Sequence, residues 1–146
     1  MGYYLRFILT DEKKTTLLQI ARGLKKIDPK YSFADGELFV YDGVDYAHIE
    51  INRPNDEVFE DEIEFLKEKL DRPDSEGAKQ VVKTLNQATC IFFFQVFLGV
   101  RNDQEVDEMF KVFDPLWNWF YANREGILHM ENNGFYDKSG LLAETA

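Results

Sequence analysis

Residues 88–98 read Ala88-Thr-Cys-Ile-Phe-Phe-Phe-Gln-Val-Phe-Leu98, with four phenylalanines and no charge. A short, uncharged segment rich in aromatic and β-branched residues is typical of a strand that is buried on both faces. Alternate residues of a strand point to opposite faces, so both faces of this segment are apolar. Such a strand needs a neighbour at each edge and a packed layer on each face. The segment therefore predicts the central strand of a covered sheet.

Length and composition indicate an ordinary globular protein. The chain has 146 residues, of which 45% are hydrophobic, and this is typical of a single domain spanning residues 1–146. Its one cysteine, Cys90, excludes a disulfide framework and favours a reducing compartment. The N-terminus lacks the pattern of a signal peptide, and no apolar segment reaches the ~18 residues of a membrane span. We therefore expect a cytoplasmic protein that does not associate with membranes.

The formal net charge is −10, and it is distributed unevenly along the chain. Residues 1–30 contain seven Lys or Arg and three Asp or Glu, whereas the rest of the chain is strongly acidic. An acidic body is repelled by phosphates, so nucleic acid is not expected as a partner. The pattern favours a basic protein partner, or self-association as a dimer through the basic first helix.

Hydrophobic periodicity and turn residues predict alternating strands and helices. The predicted strands are Tyr3–Leu9, Glu37–Tyr41, Tyr46–Ile51, residues 91–98 and residues 127–131, followed by short pieces at 135–136 and 141–142. The predicted helices begin at Asp11, Asn55 or Asp56, Ser75, and Asn102 or Asp103. Asp114-Pro115 predicts a kink or a fresh helix start. Asp42-Gly43 and Asn133-Gly134 predict hairpin turns.

The first six elements follow the order β-α-β-β-α-β if the two helices before the aromatic strand are taken together. This is the element order of a ferredoxin-like split βαβ arrangement. The predicted fold class is α+β, with a ferredoxin-like βαββαβ core, an extra helical layer and a C-terminal β-hairpin. The two most apolar strands, Tyr3–Leu9 and residues 91–98, are expected to form the central pair of the sheet.

Two His-x-Glu pairs are the main candidate for a binding site. In each pair, His48 with Glu50 and His129 with Glu131, a spacing of two residues places both side chains on one strand face. Tyr46 extends the first of these faces. If the two faces meet on one sheet, the residues could form a small-molecule or divalent-metal site, and an enzymatic site is one form of this hypothesis. The alternative is a polar strand face exposed to solvent. The pattern assigns no specific metal.

Motifs for common reactions are absent from the sequence. It contains no Gly-Lys pair for a phosphate-binding loop, no G-x-S-x-G, no H-E-x-x-H and no Cys-x-x-Cys. Whether the protein is an enzyme stays open, although the sequence leans against it. No cofactor is predicted.

Two features predict an interaction surface. The second helix carries an acidic outer face that includes Glu60, Asp61 and Glu64, although acids early in a helix also stabilise it locally. Trp117 and Trp119 lie about 200° apart on a helix, so one of them is expected near the surface or in an interface. The alternative is that a further layer or the C-terminal strands cover both rings.

These observations favour a protein-binding module with an acidic surface, such as an interaction domain or a stoichiometric inhibitor of the immunity type. The second hypothesis is a small-molecule or metal-binding domain that uses the face around His48, Glu50, His129 and Glu131. A homo-oligomer whose contact is made by the tryptophan-rich helix is the third.

Overall fold

A computed structural model describes residues 3–99 and 101–145 of the chain. These residues form one eight-stranded sheet with helices on both of its faces. Every adjacent pair of strands is antiparallel, and the order across the sheet is β2-β3-β4-β5-β1-β6-β7-β8. The expected mixed α/β class is therefore confirmed.

Eight strands and four helices make up the described part of the chain. The strands are β1 (Tyr3–Leu9), β2 (Tyr31–Ala34), β3 (Leu38–Tyr41), β4 (Val44–Asn52), β5 (Cys90–Val96), β6 (Gly126–Met130), β7 (Gly134–Asp137) and β8 (Gly140–Glu144). The helices are α1 (Leu17–Ile27), α2 (Glu57–Glu68), α3 (Glu76–Asn86) and α4 (Asp103–Asn123).

The two most apolar strands are neighbours near the middle of the sheet, as the sequence predicts. β1 pairs with β5 along its full length, from Tyr3 opposite Val96 to Leu9 opposite Cys90. The ferredoxin-like order is not confirmed. A split βαβ unit requires parallel strands linked by a crossover helix, whereas β1 here lies between two antiparallel partners, β5 and β6. The C-terminal segment completes this sheet as three strands rather than as a separate hairpin.

Each face of the sheet carries its own hydrophobic core. On face A, α1 and α4 pack against alternate residues of the central strands, including Leu5, Phe7, Phe92 and Phe94. On face B, α2 and α3 pack against the intervening residues, including Ile8, Ile91 and Ile127. The sheet is thus the middle layer of three.

The helices cover only part of each face. A helix is about 10 Å wide and strands lie about 4.8 Å apart, so two helices cover roughly four of eight strands. On face A the less covered part lies over β6, β7 and β8, where Leu141 is 52% exposed. On face B it lies over β3, β4 and β5, where His48 and Gln95 are half-buried and Glu50 is exposed. The two open regions are diagonally opposite across the sheet.

Several element boundaries differ from the predicted ones. α1 begins after Thr16, because Thr16 and Gln19 form a capping box, and not at Asp11, whose Oδ2 instead accepts a hydrogen bond from the backbone N–H of Glu125. Its last residue, Ile27, is 63% exposed, although its helical spacing from Leu24 and Ile20 predicts a buried position. α4 continues through Pro115 as one helix of 21 residues, with no fresh start at Asp114. β2 is an additional strand that the sequence reading missed.

Candidate functional site

The two His-x-Glu pairs lie on the same face of the sheet but far apart. His48 and Glu50 are on β4, His129 is on β6, and β5 and β1 lie between these strands. All of these side chains project toward face B, because Glu50 pairs with Phe93, which pairs with Arg6, which pairs with His129. Three strand spacings of about 4.8 Å put the two strands about 14 Å apart. Metal–nitrogen bonds are about 2 Å long, so the two imidazoles cannot share one ion.

Each pair is instead engaged locally. The Nε2 atom of His48 lies 3.5 Å from the carboxylate of Glu37. The carboxylate of Glu131, immediately after β6, accepts a hydrogen bond of 2.9 Å from the backbone N–H of Tyr4. Within residues 3–99 and 101–145, no group of three or more His, Cys, Asp and Glu side chains is arranged to hold a metal ion.

Tyr46 does not extend the polar face of His48. Its ring packs edge-on against Phe113 of α4, with ring centres 6.4 Å apart, and joins the core of face A. The cause is a β-bulge: the pairing of β3 with β4 shifts where Phe39 faces Ala47 and Val40 faces Asp45. The extra residue in β4 reverses the alternation at this point.

A buried arginine, Arg6, is the centre of the polar arrangement on face B. It lies in the middle of β1 and is only 4% exposed. Its Nε–H donates to Glu62 of α2 over 2.8 Å, and its Nη1 donates to Nδ1 of His129 over 3.2 Å. The guanidinium also lies 4.9 Å from the ring centre of Phe93 and 5.5 Å from that of Phe65. The sequence contains a signal for this arrangement, which is the position of Arg6 inside an apolar strand. A charge that is buried in such a strand requires a buried partner.

The contact with Arg6 determines the state of His129. Arginine has no acceptor atom, so Nδ1 of His129 accepts and the proton of the neutral ring is on Nε2. Nε2 lies 3.4 Å from Oγ1 of Thr145, beside a cavity of about 30 Å³. Burial and, secondarily, the positive charge of Arg6 lower the pKa of His129 to about 3. The ring is therefore neutral at physiological pH.

The acidic face of α2 is exposed, as its sequence pattern suggests. Glu60, Asp61 and Glu64 are exposed, whereas Glu62 turns inward to Arg6. Glu64 pairs with Lys67 over 3.3 Å. Among the described residues, no Lys, Arg or His nitrogen lies within 4 Å of the carboxylates of Glu57, Glu60, Asp61 or Glu68. Most of this helix face thus presents negative charge to solvent without compensation.

An aromatic strip borders the acidic helix. Tyr4 and Phe93 stack with ring centres 5.2 Å apart, and Phe65 of α2 is 39% exposed. Tyr4 and Phe93 are half-buried on the open side of face B. The chain's own cations already lie against two of these rings, since Arg6 is next to Phe93 and the ammonium of Lys69 is 5.1 Å from the ring centre of Phe65. What the strip offers a partner is therefore apolar surface beside carboxylates, which suits the stem of a cationic side chain.

Neither tryptophan is an exposed anchor. Trp117 is only 7% exposed and stacks with Phe113 in the core of face A. Trp119 packs against Gly23 of α1, and the guanidinium of Arg124 lies 5.2 Å from its ring. The second tryptophan is therefore half-buried under a further layer, α1 with Arg124, which is one of the two covers that the sequence suggested as an alternative.

Cys90, the single cysteine, is buried at the start of β5. Burial raises the pKa of its thiol to about 11. A neutral, buried thiol is a poor nucleophile, so this residue contributes packing rather than reactivity.

Comparison with known proteins identifies no relative for this arrangement. No family model, no curated protein and no solved structure matches the chain. In the part of the chain that the structure describes, no helix combines the length and apolar content that a membrane crossing requires.

Proposed function

We propose that this protein is a protein-binding module that receives a basic partner on the outer face of α2. The acidic docking surface comprises Glu57, Glu60, Asp61, Glu64 and Glu68 of α2 and Glu50 of β4 on the same sheet face. The observation that supports this proposal best is the arrangement of these carboxylates along the helix, which local helix stability does not explain.

Acidic residues stabilise the first turn of a helix but not its last turn. Glu57 and Glu60 are in the first turn of α2, yet Glu64 and Glu68 lie in its second half. The spacing also creates like-charge neighbours four residues apart, such as Glu60 with Glu64. Each such neighbour destabilises an isolated helix by about 0.2–0.5 kcal/mol. A cationic partner would relieve this repulsion on binding.

The aromatic strip gives the proposed partner more than a charged surface. Exposed ion pairs contribute little binding energy, whereas aromatic anchors that lose water contribute a large share. Tyr4, Phe93 and Phe65 lie between the acids of α2 and the polar residues of β4. We therefore expect acids to orient the partner and rings to hold it.

The experiment compares two variants of equal net charge. In the test variant, Glu60→Gln, Asp61→Asn and Glu64→Gln remove three charges from the acidic docking surface. In the control variant, Asp74→Asn, Asp107→Asn and Glu125→Gln remove three exposed charges elsewhere. Each protein is immobilised, exposed to host lysate at low and high salt, and the retained proteins are identified by mass spectrometry.

The proposal predicts a stoichiometric basic protein that wild type and control retain at low salt and that the test variant loses. High salt should release it from wild type and from the control variant, because screening shortens the range of charge attraction. Equal retention by test and control variants would exclude the acidic surface as the docking site. Far-UV circular dichroism of both variants verifies that α2 remains folded.

A further inference from the structure

The open region of face A contains a groove that the acidic docking surface does not include. The groove lies between α4 and strands β6 and β7, and its volume is about 260 Å³. It forms beside α4, whose Tyr121 reaches the backbone of Tyr136 in β7, whereas α1 contacts β2 at the far edge of the sheet. It is on the opposite face of the sheet from α2.

Aromatic and apolar side chains form the walls of this groove. Its lining includes Phe110, Trp117 and Tyr121 of α4, together with Leu128, Met130 and Tyr136 of β6 and β7. The hydroxyl of Tyr121 donates to the backbone oxygen of Tyr136 over 3.1 Å, which fixes one ring against the strand. Burial raises the pKa of Tyr121, so its hydroxyl stays protonated and the ring stays neutral.

Two carboxylates complete the lining. Asp114 of α4 and Asp137 of β7 border the same groove. Among the described residues, no Lys, Arg or His nitrogen lies within 4 Å of either carboxylate. One oxygen of Asp137 accepts from the backbone N–H of Ser139, and Asp114 forms no such side-chain contact within the described chain. The groove thus combines aromatic surfaces with two carboxylates that form no ion pair within the described residues.

We propose that this groove binds a small organic ammonium ion. Aromatic faces attract cations through their negative π surface, and the attraction strengthens where water is displaced. The two carboxylates supply the opposite charge, and they would repel a phosphate or a carboxylic acid. The volume is just below the 300–1,000 Å³ typical of sites for drug-sized ligands, so the groove suits a compact ligand about the size of choline.

Choline and its uncharged isostere 3,3-dimethylbutan-1-ol provide a direct test, because they have the same shape and differ in charge. Trp119→Phe leaves Trp117 as the fluorophore that lines the groove. The fluorescence of this protein is titrated with each compound, and calorimetry on the wild type verifies the affinity. We expect choline to bind with a Kd of about 1 mM or tighter. The alcohol should bind at least about tenfold more weakly.

Substitutions at the groove test the same assignment. Asp114→Asn with Asp137→Asn should weaken choline binding by about tenfold, equivalent to about 1.4 kcal/mol, whereas the matched pair Asp74→Asn with Asp107→Asn should not. Undetectable choline binding, equal binding of choline and the alcohol, or equal affinity of the two variant pairs would each overturn the proposal. The test does not depend on α2, so its result is independent of the proposed docking function.

Discussion

Arg6 and His129 show how a charged side chain is accommodated inside the most apolar part of the sheet. Arg6 is paired with Glu62 of α2 and bonded to a neutral His129, and it lies against Phe93. The cluster links three separate parts of the chain: β1, α2 and β6. A buried charge without its partner is strongly destabilising, so this cluster also restricts how α2 can lie on face B.

The lowered pKa of His129 predicts a loss of stability in acid. The unfolded chain binds a proton on this ring below its ordinary pKa of 6.5, whereas the folded protein does so only near 3. The free energy of unfolding should therefore fall as the pH drops from about 6.5 toward 3, with a contribution of up to about 1.4 kcal/mol per pH unit from this one group.

Urea unfolding at a series of pH values measures this contribution. His129→Gln retains an acceptor for Arg6 and removes the titration, so the variant should lose stability less steeply between pH 6.5 and 3. His48→Gln, which removes the other histidine from a half-exposed position, serves as the control. If His129→Gln keeps the wild-type slope, the ring does not control the acid response.

At the residue level, the sequence predicted that His48 shares a strand face with Glu50, and His129 with Glu131, but it left open whether the two faces meet. Strand alternation is local and can be read from the sequence, whereas the common sheet face of His48 and His129 follows from the pairing of four strands. Tyr46 was assigned to the wrong face, because a β-bulge is set by the pairing of two strands and changes the alternation. The role of Arg6 depends on Glu62 and His129, which lie 56 and 123 positions later in the sequence. No local sequence pattern predicts contacts over such separations.

The contact between α1 and α4 depends on one small residue. A Cβ atom on Gly23 would collide with the indole of Trp119. Alanine is the better helix former by about 1 kcal/mol, so helix propensity alone would predict that Gly23→Ala stabilises the protein. Packing argues the opposite, since overfilling a close contact typically costs about 1–3 kcal/mol.

We therefore expect Gly23→Ala to lower the free energy of unfolding by up to about 2 kcal/mol, as the difference between these two effects. Chemical denaturation monitored by fluorescence measures the change, and the emission of Trp119 should shift with it. Arg22→Ala, at an exposed neighbouring position of the same helix, is the control. A stabilised Gly23→Ala protein would indicate that Trp119 moves aside without cost.

Element prediction succeeded where signals were local and failed where tertiary packing outweighed them. Pro115 signals a helix break, yet Phe113, Leu116, Trp117 and Phe120 are all buried on one side of a continuous α4. This packing outweighs the cost of a proline inside a helix, which is about 3 kcal/mol. The sequence analysis did not predict β2. A signal was present, because Asp35 and Gly36 form an Asp-Gly turn after this strand and both have positive φ.

For the whole molecule, strand order predicts a gradient of protection from the middle of the sheet to one edge. β1 and β5 have partners on both sides and packing on both faces, whereas β2 has four residues and a single partner. At the other edge, β8 is also held by a hydrogen bond from the backbone N–H of Asp71 to the carbonyl of Glu144.

Native-state hydrogen exchange should reflect this difference. Amides of β1 and β5 should exchange through global unfolding and at least about tenfold more slowly than those of β2. β8 should be intermediate. Protection of β2 equal to that of β5 would contradict this expectation and would indicate that the free edge is covered.

The central pairing of β1 with β5 was predictable because these two segments are the most apolar in the chain. The order of the remaining strands was not, because antiparallel neighbours can be joined across long connections and composition does not select among them. The numbers of basic and acidic residues likewise did not predict where the charged helices lie on the sheet. In the structure, basic α1 and acidic α2 lie on opposite faces of the sheet.

The position of the first strand has a consequence during synthesis on the ribosome. β1 is made before every other described element, yet Tyr4 forms backbone contacts with a residue 127 positions later. Both of its partner strands come from the second half of the chain. The apolar side chains of β1 and the charge of Arg6 therefore remain without their native contacts until those strands have been synthesised. Such high contact order slows folding and leaves the nascent strand for chaperones to shield.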